Sequence, residues 1–259
     1  MLYSVNNLIE QIKQSGLKPT DTVHIHSSMK AVGVTDNGVD TVLDAFIQYF
    51  AEGLLTFPSH TWATINKNNL LFDPLVEKPC VGIISSFFLK RPGVVRSLHP
   101  THSIAAIGKS AENFIAGDEE SSTPCSRKGC YGKLYDKYSK IVFLGCSLKS
   151  NTIIHGAEEW NNIPDRLSED FLPLKIKKYS GEIVDRPMRT HLQKYGDISQ
   201  NYDKIEQLLF KHKIAHESKI GDARTIICRT REMIDYVSGL LQKNPDLFID
   251  SKPVQEDKF

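Results

Sequence analysis

Apolar and polar positions along this chain switch repeatedly between a helical and a strand-like period. Val5, Leu8, Ile9 and Ile12 recur at helical spacing until Gly16 stops them, which predicts an opening helix over Val5–Ser15. Pro19 and Asp21 turn the chain into Thr22-Val23-His24-Ile25-His26, whose alternation predicts a strand. Val39–Phe50 returns to the helical period, and Gly53–Pro58 is a short apolar strand. Neither period holds over Ser59–Pro79, which is rich in Asn, Lys, Thr and Asp. A loop of that length is uncommon in a compact domain unless it binds something or is disordered, and we read it as functional.

Further along, Val81–Leu89 has a helical pattern, Arg91-Pro92-Gly93 breaks the chain, Ser103–Ile107 predicts a strand and Glu119–Gly132 a loop. Lys140–Cys146 is a continuous apolar run bounded by turn residues, the pattern of a strand buried on both faces. Asn151-Thr152 caps a predicted helix that ends near Trp160. Leu172–Val184 reads as a hairpin turning at Ser180-Gly181, and Asp197–His212 and Thr230–Leu241 as late helices. Strands alternating with helices predict an α/β fold, as one domain over 1–259 or two closely packed halves.

Composition narrows the class. With 40% hydrophobic and 24% charged residues, the 259-residue chain is neither disordered, collagen-like nor a short disulfide scaffold. It contains no run of about eighteen apolar residues, so no membrane span is expected. Met1–Leu17 carries Glu10 and Lys13 and reads as a first helix rather than an export signal. The five cysteines (Cys80, Cys125, Cys130, Cys146, Cys228) are scattered without a C-x-x-C pair, which predicts reduced thiols in a cytoplasmic protein. Lys and Arg number 32 against 31 Asp and Glu, for a net charge of +1. A nucleic-acid binder or a coat for anionic membranes concentrates a basic excess on one face, so we expect neither partner and look to a small molecule.

Chemistry gathers in three places. At His24-Ile25-His26-Ser27-Ser28, two hydroxyls and free backbone N–H groups at a strand end can hold phosphate oxygens, or simply cap the following turn. In Arg96-Ser97-Leu98-His99-Pro100-Thr101-His102-Ser103, the guanidinium can pair bidentately with phosphate. His99 and His102 invite a metal there, but no third ligand stands at suitable spacing, so no metal is expected. The third place is Ser150–Glu159. His155 falls early on the predicted helix with Glu158 three residues on, where a carboxylate can fix the imidazole tautomer and raise the basicity of its other nitrogen. A surface ion pair uses the same spacing.

Taken together, these segments resemble the aminoglycoside 3-N-acetyltransferase family, antibiotic acetyltransferases unrelated in fold to the GNAT superfamily. The matching stretches run in order: Val23–Gly33, Phe57–Trp62, Phe72-Asp73-Pro74, Pro92–Ala106, Thr123-Pro124-Cys125, Tyr131–Leu134 and Leu144-Gly145-Cys146. They continue with Ser150–Glu158, Lys219–Ala223 and Arg229–Asp235.

The resemblance implies a central mixed sheet flanked by helices and transfer of an acetyl group from acetyl-CoA to a primary amine of an amino sugar or aminoglycoside-like acceptor. His155 is then the general base of a direct-transfer ternary complex, with Glu158 orienting it. A thiol route through Cys146 is the alternative chemistry. His26, Ser27, Ser28, Arg96 and Ser97 fall in segments that line the CoA site, with His99 and Ser103 in that wall or bracing it from beneath. His60, Thr61, Asp73 and His191 go to the acceptor. Arg186 and Arg189 precede His191 where family members often carry acidic residues. That departure predicts an acceptor with one amine or a negative charge, such as a nucleotide-linked amino sugar of surface polysaccharide synthesis. Two readings of another class, a metal-dependent hydrolase and an inactive binding protein of the same fold, remain beside it, and a homodimer is left open.

Overall fold

Three parallel strands, Lys140–Leu144, Thr22–Ser27 and Leu54–Pro58, lie side by side at the centre of a seven-stranded sheet. The computed structural model describes residues 2–254. On one side the sheet continues antiparallel through Ala223–Arg229 and Ala215–Ile220, on the other through Ile104–Gly108 and Val95–Arg96. It is the mixed α/β sheet flanked by helices that the chain pattern and the family likeness predict.

The period of two sorts side chains to opposite faces of this sheet. Val23, Ile25, Leu55, Phe57, Val142 and Leu144 pack against the helices Val5–Gln14, Val39–Tyr49 and Ile83–Phe88. Ile141, Phe143, Ile104, Ala106, Ile226 and Cys228 point the other way, into a core shared with Cys130–Asp136, Thr152–Trp160 and Thr230–Lys243. Each large apolar side chain removed from water here contributes about 1.5–3 kcal/mol, so the two faces fix the strand order. The alternation at Thr22–His26 has a different meaning from the usual half-wet strand. His24 and His26 are 0% and 5% exposed and lie under the second helical layer, where His26 stacks on Phe143 with ring centroids 5.4 Å apart.

The long helices and strands follow the chain pattern, whereas short elements at Met29–Val32, Leu71–Phe72, Val95–Arg96 and Ala111–Ile115 are not marked by it, and three larger differences have a physical cause. Glu119–Gly132 is not all loop: a helix starts at Cys130, because Cys130, Tyr131 and Leu134 face the core. Ile198–Ile205 is 3-10 helix before the α-helical turn Glu206–Lys211. The hairpin Ala215–Ile220/Ala223–Arg229 is absent from the predicted elements, since polar His216, Glu217, Ser218 and Lys219 obscure an edge strand.

The parallel strands point one set of carboxyl ends at the functional region, where open α/β sheets bind ligands. After Leu144 the chain turns sharply at Gly145, whose φ is +67°. A Cβ there would come within 2.2 Å of Ala31 Cβ, so only glycine fits. The turn leads through a short 3-10 segment, Leu148–Ser150, into the helix Thr152–Trp160. A separate three-stranded sheet, Leu71–Phe72, Lys175–Lys177 and Ile183–Asp185, packs around Ile65, Phe72, Leu174, Ile176 and Met188 and supports the long 59–79 loop.

Candidate active site

His155 sits on the first turns of the Thr152–Trp160 helix with its ring at a cleft and its side chain 18% exposed. Its Nδ1 lies 3.1 Å from Glu158 Oε2 and 2.8 Å from the Tyr202 hydroxyl. Tyr202 also donates to Glu158 Oε2 at 2.9 Å, and Arg166 Nε donates to the other carboxylate oxygen at 2.8 Å. Burial pushes the Glu158 carboxyl up, but the hydrogen bond from His155 and the Arg166 guanidinium outweigh it and hold the group below the usual carboxylate range. Glu158 is therefore an anion that can only accept, so the His155 proton resides on Nδ1. That leaves Nε2 as the lone-pair nitrogen, without a hydrogen bond to any described residue.

The cleft holds about 1270 Å³, more than the 300–1,000 Å³ or so of an ordinary ligand pocket. His26, Ser27, Pro58 and His60 come from the strand ends, Lys149 through Thr152 from the turn before the helix, and Trp62 and Ile65 through Asn68 from the long loop. Asp170, Phe171, Leu172, Thr190–Gln193 and Gly196–Ser199 close the far side. A second depression of about 670 Å³ shares Ser27 and Gly82 with it and continues along Ser28, Met29 and Lys30.

Seven of the nine histidines cluster around this space. The His155 ring is 4.3 Å from His191, His191 is 5.3 Å from His102, and His102 is 4.7 Å from His60. Desolvation pushes His24, His60 and His102 well below the ordinary imidazole value, and drives His26 down to about 3. Burial and the neighbouring His155 also lower His191, against the pull of Glu159. His24, at least, shares a hydrogen bond of 2.9 Å with Thr56, and His60 one of 2.6 Å with the Tyr131 hydroxyl.

The residues picked out in the sequence divide sharply. His155, His26, Ser27, His60 and His191 line the cleft, and Ser28 lines the adjoining depression. Arg96, Ser97, His99 and Ser103 do not reach either space. Arg96 gives its donors to the carbonyls of Ser59, Pro74 and Glu77 and to Ser103 Oγ. Ser103 in turn donates to Ser59 O, Ser97 accepts from Ile104 N–H, and His99 Nδ1 accepts from the Thr101 and His102 N–H groups. Arg96 and Ser103 brace the long loop from behind, because a buried guanidinium satisfies itself on free carbonyls as readily as on phosphate, while Ser97 and His99 hold their own strand and turn. Thr61 is wholly buried and donates to Pro100 O, while Asp73 pairs with Lys177 at 2.8 Å and anchors the same loop. Asn151 stands at the helix cap, but its side chain makes no capping bond and reaches Met233 instead.

Arg186 and Arg189 do not line the cleft and are engaged with other groups. Arg186 pairs with Glu120 at 2.6 Å, and Arg189 donates to the Ser168 and Leu167 carbonyls. The charged cleft residues are two lysines, Lys67 and Lys149, and two aspartates, Asp170 and Asp197. Cys146 is outside the cleft, and burial raises its thiol to about 11, so a thiolate route has no support there. Sequence reasoning missed Tyr202 and Arg166, which are 47 and 11 positions from His155 and lack any local signature. It also passed over Trp62, although Trp62 stood within a matching stretch.

The class these features define is an α/β protein with an imidazole-lined cleft at the carboxyl ends of its parallel strands. Its sequence matches the profile of the aminoglycoside 3-N-acetyltransferases over residues 25–242, and the chain belongs to that family. It is accordingly an N-acetyltransferase. Aminoglycoside N(3)-acetyltransferase IV of Salmonella sp. is 24% identical over 245 residues, covering 93% of this chain and 88% of that protein. The SPbeta prophage-derived aminoglycoside N(3')-acetyltransferase-like protein YokD of Bacillus subtilis (strain 168) is 25% identical over 254 residues, covering 89% and 88%. The solved structure of AAC-IIIb as a binary complex with CoASH superposes with a TM-score of 0.82 at 19% identity, covering 94% of this chain and 97% of that one. A mutant of AAC(3)-IVa in complex with a gentamicin gives 0.81 at 22% identity, covering 96% and 92%. Among the described residues, no helix is long and apolar enough to cross a membrane.

Proposed function

We propose that this chain acetylates a primary amine of an aminoglycoside-like acceptor, using acetyl-CoA in a direct-transfer ternary complex with His155 as general base. The observation that carries the reading is the His155–Glu158–Tyr202–Arg166 array: a fixed Nδ1–H tautomer whose free Nε2 belongs to a ring at a cleft large enough for two ligands.

The residues suit a coenzyme A molecule. Ser27 and Gly82 join the cleft to the depression carrying Ser28 and Lys30, which gives a long thioester arm and its phosphates a continuous path. Neutral His26 and Ser27 add hydrogen-bonding surface without charge, and Lys30 and Lys149 supply cations for anionic oxygens. Acetyl-CoA brings the activated carbonyl. An ammonium has no lone pair, so the acceptor nitrogen must lose a proton to bond to that carbon. The first proton of the ammonium goes to solvent, giving a neutral amine; His155 Nε2 takes the second as the C–N bond forms and the C–S bond breaks, and passes it to the departing thiolate. The Glu158 anion stabilises the transient imidazolium. Ile154 N–H donates to the Asn151 carbonyl, and the other N–H groups of a first helical turn have no carbonyl one turn back; Thr152 lines the cleft, so this turn is positioned to receive the developing oxyanion.

With Lys149 given to the coenzyme, Asp170 and Asp197 outnumber the remaining Lys67 and favour an acceptor with ammonium groups over an anionic one, because the arginines that suggested a nucleotide-linked sugar do not line the cleft. The test is thiol release from acetyl-CoA across a panel of aminoglycosides and simple amines. His155→Ala should lower kcat by about 10²–10⁴-fold, the contribution of general acid–base catalysis, with KM for acetyl-CoA little changed. A variant as fast as the parent refutes the role given to His155.

A further inference from the structure

Behind the His155 ring, three metal-ligating side chains from distant segments converge. Cys125 Sγ, a Glu159 carboxylate oxygen and a His191 ring nitrogen all lie within 4.8 Å of one another. Cys125 comes from the loop after the Asp118–Glu120 turn, Glu159 from the helix that carries His155, and His191 from the cleft wall. Two of them already touch: His191 Nε2 is 3.0 Å from Glu159 Oε1, which also accepts from Cys125 N–H at 2.9 Å.

A hydrogen-bonded pair alone does not account for this corner. Glu159 has a side chain only 4% exposed, yet its second oxygen, Oε2, has no partner. A buried carboxylate oxygen without a donor is costly, and a cation is the group that would satisfy it. The surroundings are stiff in the way ligand shells are. Trp160 Nε1 donates to Cys125 O at 2.8 Å, and the Trp160 ring packs so closely on Gly156 that an added Cβ would stand 3.1 Å from it. Tetrahedral coordination with ordinary zinc bond lengths needs ligand atoms about 3.5 Å apart, a closure of at most about 1.3 Å from the separations here, within reach of side-chain rotation.

We propose that Cys125, Glu159 and His191 bind a single divalent ion of the zinc class at the acceptor side of the cleft. One thiolate, one imidazole and one carboxylate suit zinc or cobalt rather than magnesium or calcium, which take oxygen ligands. Three protein ligands leave a fourth position, and the site lies at the cleft wall, which His191 and Pro124 line. An amine or hydroxyl of the acceptor is the ligand of matching chemistry. The three-segment origin explains why no metal was expected from sequence: neighbouring His99 and His102 drew attention, while the converging groups are 34 and 32 positions apart. The site does not depend on the base role of His155.

The experiment uses the full chain, stripped with chelator and titrated with Co²⁺ as probe. One equivalent should bind with tetrahedral ligand-field bands and a thiolate-to-cobalt charge-transfer band, and Zn²⁺ should displace it. Cys125→Ser should abolish the charge-transfer band, and Glu159→Gln should weaken binding by more than the 10–100-fold or so that loss of a mere outer-shell partner costs. His191→Gln, at the cleft surface, serves as the variant least disruptive to folding and should weaken binding similarly, with circular dichroism reporting the fold. Absence of stoichiometric cobalt in the parent protein overturns the proposal. So does a spectrum lacking the thiolate band, or unchanged affinity in folded His191→Gln.

Discussion

Two groups of histidines on the same side of the sheet meet opposite fates. On the central strand, His24 and His26 are buried without an anion beside them, and each keeps an unpartnered Nε2. On the helix that follows the neighbouring strand, His155 keeps one edge at the cleft and has Glu158, Tyr202 and, through Glu158, Arg166 arranged behind it. The first environment keeps an imidazole neutral by denying its charge any support. The second supplies a fixed anion, so the ring can accept a proton transiently. Residue type is the same in both, and the difference lies in how deeply the fold buries the ring and in what it puts within 3 Å or so of Nδ1.

The contrast breaks most severely at Arg166. Its side chain is 3% exposed and its guanidinium balances a Glu158 carboxylate that is 1% exposed. Arg166→Met keeps the bulk of the side chain but leaves a buried anion with only His155 and Tyr202, and it strips donors from the carbonyls of Pro164 and Pro245. Removing one partner of a buried ion pair costs about 3–5 kcal/mol, so urea unfolding should show a loss of that order. A loss under about 1 kcal/mol would mean that Glu158 is not held by this cation, and the helix-side environment would then differ little from the strand side.

His26 sharpens the comparison from the other end. Its folded value near 3 lies far below the ordinary 6.5 because burial penalises the charged ring. Between those values the unfolded chain binds a proton that the folded chain refuses, so stability falls as pH falls. The ring's contribution is whole above about pH 6.5 and gone near pH 3. The slope for one such imidazole is about 1.4 kcal/mol per pH unit, roughly 2 kcal/mol by pH 5. His26→Phe preserves the stack on Phe143 and should remove that increment from the acid limb of stability measured by denaturant at several pH values. If the variant and parent lose stability in parallel between about pH 6.5 and 5, His26 is not the neutral group that this burial implies.

What the chain pattern could reveal follows the same divide. Periodicity located the central strands and the His155 helix because their apolar faces bury against two layers, and Glu158 was legible because it shares a helical face with His155. Tyr202 and Arg166 were not, since long connections deliver them and no local spacing links them to the ring. Arg96 misled for a physical reason. A guanidinium fits carbonyl oxygens as well as phosphates, and only the fold decides that Ser59, Pro74 and Glu77 reach it first. The edge strand Ala215–Ile220 escaped because polar residues occupy both of its faces from His216 to Lys219, which erases the period of two.

The smallest expected effect concerns charge at the acceptor. Arg186 pairs with Glu120, whose side chain is 67% exposed, so the pair is screened by water and contributes little. Arg186→Gln should change stability by less than about 0.5 kcal/mol and leave KM for a polycationic acceptor unaltered. Asp170, by contrast, lines the cleft, and Asp170→Asn should raise that KM about three- to fivefold, the equivalent of 1 kcal/mol or slightly less. Initial-rate kinetics with one polycationic and one singly aminated acceptor separates the two variants, since only the former should respond to Asp170. If Arg186→Gln instead lowers KM for the polycation, the arginine acts on the cleft across its ion pair. The anionic-acceptor reading then regains the ground that the two aspartates take from it here.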